Sequence, residues 1–214
     1  MGAESRVERP VKTNVVVWCG DSITKGNHVG AGEDFPSLVA ASITAIAAND
    51  QNIAVPSSTI NSGQGTAADG YYDGTKQANV CCVMWGINDL AGGATAATTK
   101  ASLKTFCQAR QSAGFSVLLM TLLPCNTFTD ANSLREAANV LIRADSSFYS
   151  VLVDLGDTGT TMGNVSALSD TAKYSDGVHP TYAGNQLLEP AITAGLTTLL
   201  SDGRFSSVFS GVLR

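Results

Sequence analysis

Short apolar runs alternate with longer amphipathic segments along this chain, and that alternation limits the folds open to it. The run from Asn14 to Cys19 is uninterrupted and rich in valine, which is typical of a strand covered on both faces. Strand–helix alternation of this kind predicts a parallel sheet between two helical layers, with right-handed crossovers. The sequence predicts strands at 14–19, 58–61, 79–85, 115–123 and 150–155. It predicts helices over 35–47, 98–113, 132–147 and 181–200, the last kinked or divided at Pro190.

The predicted fold is an α/β fold, a three-layer α/β/α sandwich around a five-stranded parallel sheet. The 214 residues suit a single domain at 14–200, with an N-terminal extension at 1–13 and a C-terminal tail at 201–214. The segment 156–175 has no clear pattern, and we expect either a functional loop or a short helix there. Because sites in such sheets form beyond the carboxyl ends of the strands, we expect the chemistry at that edge.

Composition and charge exclude several classes of protein. With 44% hydrophobic and 14% charged residues, the chain is not intrinsically disordered. Its net charge of −5 argues against binding to nucleic acid or to an anionic membrane, since both need clustered basic side chains. No apolar window is long enough to cross a bilayer, and the first residues lack the apolar segment of a secretion signal. A cytoplasmic protein and a secreted protein without its signal would both look like this.

The five cysteines, an odd number at irregular spacing, make a poor disulfide framework. Cys81 and Cys82 lie inside an apolar run. We therefore expect buried free thiols and mildly favour a reducing compartment.

Two short motifs carry the residue types needed for nucleophilic catalysis. Gly20-Asp21-Ser22 follows the first predicted strand, where a serine would be exposed at the carboxyl edge of the sheet. A serine hydroxyl becomes an effective nucleophile when an imidazole takes its proton and a carboxylate orients that imidazole. Asp176 stands three residues before His179, and the chain has only one other histidine, His28. Taken alone, the first motif could simply cap a helix and the second could be an ordinary surface turn.

Two further turns follow the second and third predicted strands. Acyl transfer places negative charge on a carbonyl oxygen, and that charge needs hydrogen-bond donors held in position. The backbone N–H of Gly65, or alternatively of Gly63, and the side-chain amide of Asn88 are candidate donors. Asp89 is better explained as an acceptor that braces its own loop. Each turn could otherwise be ordinary punctuation at a strand end.

Together, the four segments resemble the motif blocks of the SGNH hydrolase superfamily, the GDSL-type esterases and lipases, over nearly the whole chain. The blocks of that family contribute Ser, Gly, Asn and His in this order, on a flavodoxin-like fold. The resemblance implies a catalytic triad of Ser22, Asp176 and His179, and an oxyanion hole formed by Ser22, Gly65 and Asn88.

Two blocks depart from the family pattern. The donor glycine of the family usually follows an asparagine by five residues, but Gly65 follows Asn61 by four, which keeps Gly63 as the alternative. In the first block, Ile23-Thr24 replaces the frequent Leu-Ser and leaves the serine itself unchanged.

The resemblance implies a serine esterase that works through an acyl-enzyme and needs no cofactor or metal. We expect short-chain acyl esters as substrates, acetyl esters first and carbohydrate esters among them. Tyr71-Tyr72 and the segment 156–175 could border a sugar-accepting cleft, and no apolar lid for a long acyl chain is visible. The expected partners are small-molecule or glycan esters, without nucleic acid or membrane insertion, and the oligomeric state is left open. The alternatives are a lipase, thioesterase or lysophospholipase of the same fold, or a non-catalytic glycan-binding module.

Other kinds of site fit the sequence less well. The segment 63–68 matches the dinucleotide-binding pattern Gly-x-Gly-x-x-Ala, but a poor helix opening follows it and no acidic residue ends the next strand. The nucleophile pattern Gly-x-Ser-x-Gly of α/β-hydrolases is absent around Ser22. Two histidines far apart in the sequence do not suggest the ligand cluster of a zinc hydrolase.

Overall fold

The computed structural model describes residues 14–43 and 50–201 and contains a five-stranded, all-parallel sheet. Its strands are β1 (Asn14–Gly20), β2 (Asp50–Asn52), β3 (Ala78–Met84), β4 (Ser116–Met120) and β5 (Val151–Val153), in the order β2-β1-β3-β4-β5. The predicted α/β fold is confirmed. The predicted extension at 1–13, the end of the helix predicted to 47, and the tail beyond Ser201 lie outside the described residues.

The helices of the described residues cover both faces of this sheet. They are α1 (Ser22–Lys25), α2 (Phe35–Ser42), α3 (Gln64–Asp69), α4 (Ile87–Ala91), α5 (Ala96–Ser112), α6 (Ala131–Arg143) and α7 (Tyr182–Ser201). Short 3₁₀ helices occur at Ser146–Phe148 and Val165–Ser169. The second of these lies in the segment 156–175, so that segment contains a short helix. No helix within the described ranges is long and apolar enough to cross a bilayer.

The central strands are buried on both faces, as their uninterrupted apolar runs predict. Along β1, Val16 and Trp18 pack into a core shared with α2 and α7. Val15, Val17 and Cys19 point to the opposite face and pack into a second core shared with α3 and α5. Because β1 is held from both sides, its carboxyl end has a fixed position in the sheet.

The second strand does not lie where the sequence predicts it. β2 is the segment Asp50–Asn52, and residues 58–61 form a turn instead. β2 pairs only with β1 and is therefore an edge strand, which needs no uninterrupted apolar run. The indole N–H of Trp18 donates to Asp50, while burial raises the pKa of Asp50 to about 6.

The helix predicted near the C-terminal end is also simpler than expected. α7 runs from Tyr182 to Ser201 as one helix, so Pro190 does not divide it. Its buried residues Leu188, Ile192 and Leu196 belong to the core shared with α2. That packing holds the helix together although Pro190 cannot donate a backbone hydrogen bond.

All five cysteines are buried and unpaired, as the sequence predicts. The sulfur atoms of Cys19 and Cys81 are 3.7 Å apart, on the strands β1 and β3. The hydrogen bond with Cys19, together with burial, raises the pKa of the Cys81 thiol well above its usual range. Burial likewise raises the pKa of Cys82 and Cys107.

Candidate active site

Ser22 stands two residues after the end of β1 and is the first residue of α1. Asp21 caps this short helix, because its Oδ1 accepts a hydrogen bond from the backbone N–H of Ile23 at 3.0 Å. At Gly20 a Cβ atom would lie 2.2 Å from Oγ1 of Thr24, so the end of the strand has no room for a larger residue. The turn is therefore tight, and it presents the Ser22 hydroxyl at the carboxyl edge of the sheet.

Asp176 and His179 belong to one turn, and the aspartate fixes its shape. Oδ1 of Asp176 accepts hydrogen bonds from the backbone N–H groups of Val178 at 3.0 Å and His179 at 2.9 Å. Oδ2 of Asp176 lies 2.7 Å from Nδ1 of His179. Gly177 has φ +78°, and a Cβ atom there would lie 2.2 Å from Oδ1 of Asn126. The glycine thus allows the turn to close with the carboxylate against the imidazole.

The two motifs meet although 157 residues separate them: Nε2 of His179 lies 2.8 Å from Oγ of Ser22. Burial opposes ionisation of Asp176, but hydrogen bonds from the backbone and side chain of His179 and from the backbone of Val178 outweigh it and lower the pKa of Asp176 to about 2. An ionised carboxylate therefore faces Nδ1, which favours a proton on Nδ1 and leaves Nε2 free to accept one.

A cavity of about 210 Å³ opens over Ser22 and His179. Its lining also includes the polar residues Ser57, Asn88 and Thr127 and the apolar residues Ile87, Phe128 and Val178. The space next to the Ser22 hydroxyl therefore combines hydrogen-bonding groups with a small apolar surface.

Asn88 lines this cavity from α4, just after β3. Its Nδ2 donates to the backbone carbonyl of Ser58 at 3.0 Å, which fixes the orientation of the amide. The next residue, Asp89, accepts a hydrogen bond from the backbone N–H of Ile60 at 3.2 Å. Asp89 therefore braces the turn that follows β2. The sequence had suggested that it would brace its own loop.

Neither of the two predicted donor glycines is among the residues that line the described cavity. Gly65 lies inside α3, where a Cβ atom would be 2.2 Å from a terminal nitrogen of Arg110. Its small size therefore serves the packing of Arg110, whose guanidinium pairs with Asp69. Gly63 is the N-cap residue of α3, with φ +88°.

Ser57 lines the cavity instead, and sequence reasoning missed it. It has φ +60°, a backbone conformation in which glycine is the common residue. It also stands five residues after Asn52, the last residue of β2, which is the spacing typical of the donor glycine in SGNH hydrolases. Among the described residues, no group accepts a hydrogen bond from the backbone N–H of Ser57 or of Ser22. The five-residue spacing from Asn52 to Ser57 could be read from the sequence. It was missed because the second strand was predicted at 58–61.

Gln64, only 4% exposed, ties the turn that carries Ser57 to the end of β1. Its Oε1 accepts from the backbone N–H of Gly20 at 3.0 Å, and its Nε2 donates to the carbonyl of Gly20 at 2.8 Å and to Oγ of Ser58 at 3.0 Å. The carbonyl of Ser58 also accepts from the indole N–H of Trp85 at 3.0 Å. The two strand ends that approach the cavity are therefore linked through one buried amide.

Asp21 is a buried carboxyl group beside Ser22. Burial raises its pKa to about 7, against the opposing effect of the hydrogen bond from Ile23 and with a further upward contribution from the charge of Asp89. Burial also raises the pKa of Asp89 itself. Burial therefore disfavours the ionised form of both carboxyl groups.

His28 and His179, far apart in the sequence, lie against each other with ring centroids 4.5 Å apart and ring planes 16° from parallel. Together with Asp176 they offer ligand atoms within 4.8 Å of one another, so the expectation that the histidines are too distant to form a cluster was wrong. Stacked rings direct their nitrogen lone pairs along parallel planes, however, whereas a metal such as zinc needs lone pairs that converge on it. The cluster is therefore poorly arranged to hold a metal.

A family model described as the GDSL-like Lipase/Acylhydrolase family matches residues 19–187. The chain belongs to this family. The match includes Ser22, Asn88, Asp176 and His179 within its range. No curated protein sequence matches the chain.

Solved structures of GDSL and related esterases share the fold of this GDSL-like chain at low sequence identity. A lipolytic protein of the G-D-S-L family from Veillonella parvula aligns with TM-score 0.69 and 18% identity over 87% of this chain and 100% of its own. A carbohydrate esterase of family 3 from Talaromyces cellulolyticus aligns with TM-score 0.63 and 17% identity over 88% and 99%. A mutant of Axe2, an acetyl-xylooligosaccharide esterase from Geobacillus, aligns with TM-score 0.61 and 15% identity over 87% and 96%.

The tyrosine pair predicted to border the cleft of this GDSL-like chain lies elsewhere. Tyr72 packs edge-on against Phe115, with ring centroids 5.5 Å apart, and Phe115 directly precedes β4. That position is at the amino edge of the sheet, opposite the edge that carries Ser22, so the prediction for the tyrosines was wrong. The segment 156–175 does reach the site through its last residue, because Oγ of Ser175 lies 3.2 Å from Nδ1 of His28.

Proposed function

We propose that this GDSL-like chain is a serine esterase that hydrolyses short-chain acyl esters, with acetyl groups on carbohydrates as the preferred class. The observation that carries the proposal is the 2.8 Å contact between Oγ of Ser22 and Nε2 of His179. It is supported by the 2.7 Å contact between Nδ1 of the same imidazole and Asp176. Nucleophile, base and orienting acid thus stand in the order that acyl transfer through a serine requires.

The reaction follows from these contacts in two halves. Nε2 of His179 takes the proton from Ser22 as Oγ attacks the acyl carbon, and the ionised Asp176 stabilises the imidazolium that forms. His179 then gives this proton to the alcohol oxygen, the bond between that oxygen and the acyl carbon breaks, and an ester of Ser22 is left. A water molecule, deprotonated by His179, attacks this ester. Oγ of Ser22 leaves with the returned proton, and the carboxylic acid is released.

The negative charge of the tetrahedral intermediate needs donors that are already in place. We assign that task to the backbone N–H groups of Ser22 and Ser57 and to the amide of Asn88. Ser57 replaces the Gly65 expected from the family resemblance, because Ser57 lines the cavity and Gly65 does not. The hydrogen bond from Asn88 to the carbonyl of Ser58 leaves the second amide hydrogen of Asn88 for the substrate oxygen.

The size and lining of the cavity support a short acyl group. Its volume of about 210 Å³ is below the roughly 300–1,000 Å³ typical of pockets that enclose drug-sized ligands, so a long acyl chain would extend out of it. The polar groups of Ser57, Asn88 and Thr127 can hydrogen-bond to a hydroxylated alcohol portion. Carbohydrate esters are further supported by the substrates that the names of the Talaromyces and Geobacillus proteins give.

Substitution of the nucleophile tests the activity. With p-nitrophenyl acetate we expect Ser22→Ala to lower kcat by at least about 10³-fold, since residual catalysis would come from binding and the oxyanion donors alone. Ser112→Ala, at the exposed end of α5, is the matched control and should behave as the wild type. Equal rates for wild type and Ser22→Ala would exclude a serine esterase, and binding of an acetylated oligosaccharide without turnover would indicate a glycan-binding module.

An acyl-length series tests the substrate class. We expect kcat/KM to be highest for acetate in p-nitrophenyl esters from acetate to laurate, and we expect release of acetate from acetylated oligosaccharides. A maximum at long chains would favour a lipase or thioesterase on this fold and contradict the short-chain assignment.

A further inference from the structure

We infer that His28 is a positioning residue for His179: its ring lies flat on the imidazole of His179 and keeps it aligned between Asp176 and Ser22. The inference rests on the proposed function, because it assigns His28 a task only if His179 is the general base. It extends that function with a residue that is not itself among those lining the cavity.

His28 comes from the same chain segment as Ser22. Gly26 ends α1 with φ +83°, and His28 itself has φ +71°, so the chain turns back after only a few residues. This return places the ring of His28 on that of His179, with centroids 4.5 Å apart and an interplanar angle of 16°. A non-glycine residue with positive φ is uncommon, although histidine is among the residue types enriched there. The unusual backbone therefore serves to deliver this side chain.

Ser175 anchors the second ring to the turn that holds the first. Oγ of Ser175 donates to the backbone carbonyl of His179 at 3.2 Å, which leaves the oxygen free to accept from Nδ1 of His28, also at 3.2 Å. The backbone N–H of Ser175 donates to the same carbonyl at 2.9 Å. Nδ1 of His28 further lies 3.7 Å from Oδ2 of Asp176. His28 is thus fixed to the turn 175–179 and cannot drift independently of it.

The edge contacts of His179 leave one motion unopposed. Asp176 and Ser22 hold the two nitrogen atoms of the ring, but hydrogen bonds along an edge do little to prevent the ring from tilting out of its plane. The ring of His28 covers one face and blocks that tilt. Because proton transfer depends strongly on the alignment of the two atoms, even a small tilt would slow the reaction.

Substitution of His28 by asparagine tests this arrangement, since asparagine tolerates positive φ and removes the ring. We expect His28→Asn to lower kcat for p-nitrophenyl acetate about tenfold, with KM within twofold of wild type. The rate at which p-nitrophenyl ethylphosphonate inactivates Ser22 should fall by the same factor, because that step uses His179 without deacylation. Asn27→Ala, in the same turn, is the matched control and should stay within twofold of wild type in both measurements.

A double-mutant cycle with Ser175→Ala separates positioning from local damage. Ser175→Ala alone should lower kcat about threefold, and His28→Asn/Ser175→Ala should be no slower than His28→Asn, because the anchor has no task once the ring is gone. A His28→Asn variant with wild-type kcat, or effects that multiply in the double variant, would overturn the inference. Loss of activity in Ser22→Ala but not in His28→Asn would remove His28 and leave the proposed function intact. A wild type without Ser22-dependent turnover would remove both.

Discussion

The ends of β1 and β2 both approach the site, yet they are held in different ways. β1 has seven residues, all buried, and lies between two other strands, so the sheet itself fixes the position of Ser22. β2 has three half-buried residues at the edge of the sheet. The turn beyond it, which carries Ser57, depends on side chains from other elements: Gln64, Trp85 and Asn88 all hydrogen-bond to Ser58.

The two parts of the site are therefore held in position by different kinds of interaction. Backbone packing places the proposed nucleophile, and few single substitutions outside the turn can move it. A buried network of side chains places the proposed oxyanion donors, so single polar residues there carry more of the geometry. The following predictions test this contrast.

The largest effect is expected at His179, which contacts Ser22 beyond the end of β1. His179→Ala removes the group 2.8 Å from Ser22 and should lower kcat for p-nitrophenyl acetate about 10⁴-fold. Little change in melting temperature is expected, because the half-buried side chain belongs to neither of the two apolar cores. His28→Asn is the matched histidine variant and should lose far less. A His179→Ala enzyme within tenfold of wild type would mean that another group is the base.

Asn88 tests the side-chain network directly. Asn88→Ala removes one proposed oxyanion donor and should lower kcat by about 10²–10³-fold with a smaller change in KM, since the charge it serves exists only in the transition state. Asn164→Ala, at an exposed 3₁₀ cap, is the control and should retain wild-type kcat. If KM rises while kcat is kept, Asn88 binds the substrate without stabilising the oxyanion.

Asp21 tests the β1 end through stability. Its pKa is raised from 3.8 to about 7 by burial, so the folded protein holds a proton that the unfolded chain releases. The stabilisation of the folded protein by the protonated Asp21 is present in full below about pH 4 and is lost as the pH rises through 7. The free energy of unfolding should fall by about 2–4 kcal/mol over this range. Urea unfolding between pH 4 and 8 should show this fall in wild type and a smaller one in Asp21→Asn. Equal slopes in the two proteins would contradict the assignment.

Gln64 links the two ends, and its removal should disturb both stability and turnover. Gln64→Leu leaves the N–H and carbonyl of Gly20 without their amide partner, which should lower the free energy of unfolding by about 1–3 kcal/mol. We expect kcat to fall about tenfold as the turn at Ser57 shifts. Denaturant unfolding and kcat are measured on the same preparation, and unchanged kcat in a destabilised variant would show that Gln64 supports the fold alone.

The smallest effects distinguish the two candidate donors at the β2 end. Ser57→Gly keeps the backbone N–H and suits φ +60°, so kcat should stay within about threefold of wild type. Gly65→Ala should also keep kcat, with at most about 1 kcal/mol lost in stability as Arg110 moves aside. A hundredfold loss of kcat in Gly65→Ala at unchanged stability would favour Gly65 as the donor over Ser57.

The sequence predicted most of the fold because the central strands carry an unmistakable signal. Apolar runs such as 79–85 and 115–123 require burial on both faces; β4 lies within the second run, and β3 overlaps the first with a shift of one residue. The edge strand β2 has the sequence Asp-Gln-Asn, which resembles a loop. The second strand was therefore predicted at 58–61 instead. The order and type of the elements therefore follow from local pattern, whereas the edge depends on pairing that no local pattern reports.

The same distinction applies to the site. Ser22, Asp176 and His179 stand in short motifs, and the structure brings them into contact. Ser57 has no motif of its own once β2 is misplaced, so Gly65 was predicted in its stead. The stacking of His28 on His179 depends on a reversal of the chain after α1 and on Ser175, 147 residues away. Such a contact becomes visible only when the fold is known.

The buried thiols of the two cores can report how often each core opens to solvent. All five sulfur atoms are buried, and none can meet a water-borne alkylating reagent while the sheet stays closed. A reagent such as iodoacetamide therefore records each opening of the cores, and the order in which the cysteines are alkylated ranks the two sides of the sheet by how often they open. The alkylation rate of Cys125, between β4 and α6, would report opening of one core. The rate of Cys107, on α5, would report opening of the other core in the same experiment.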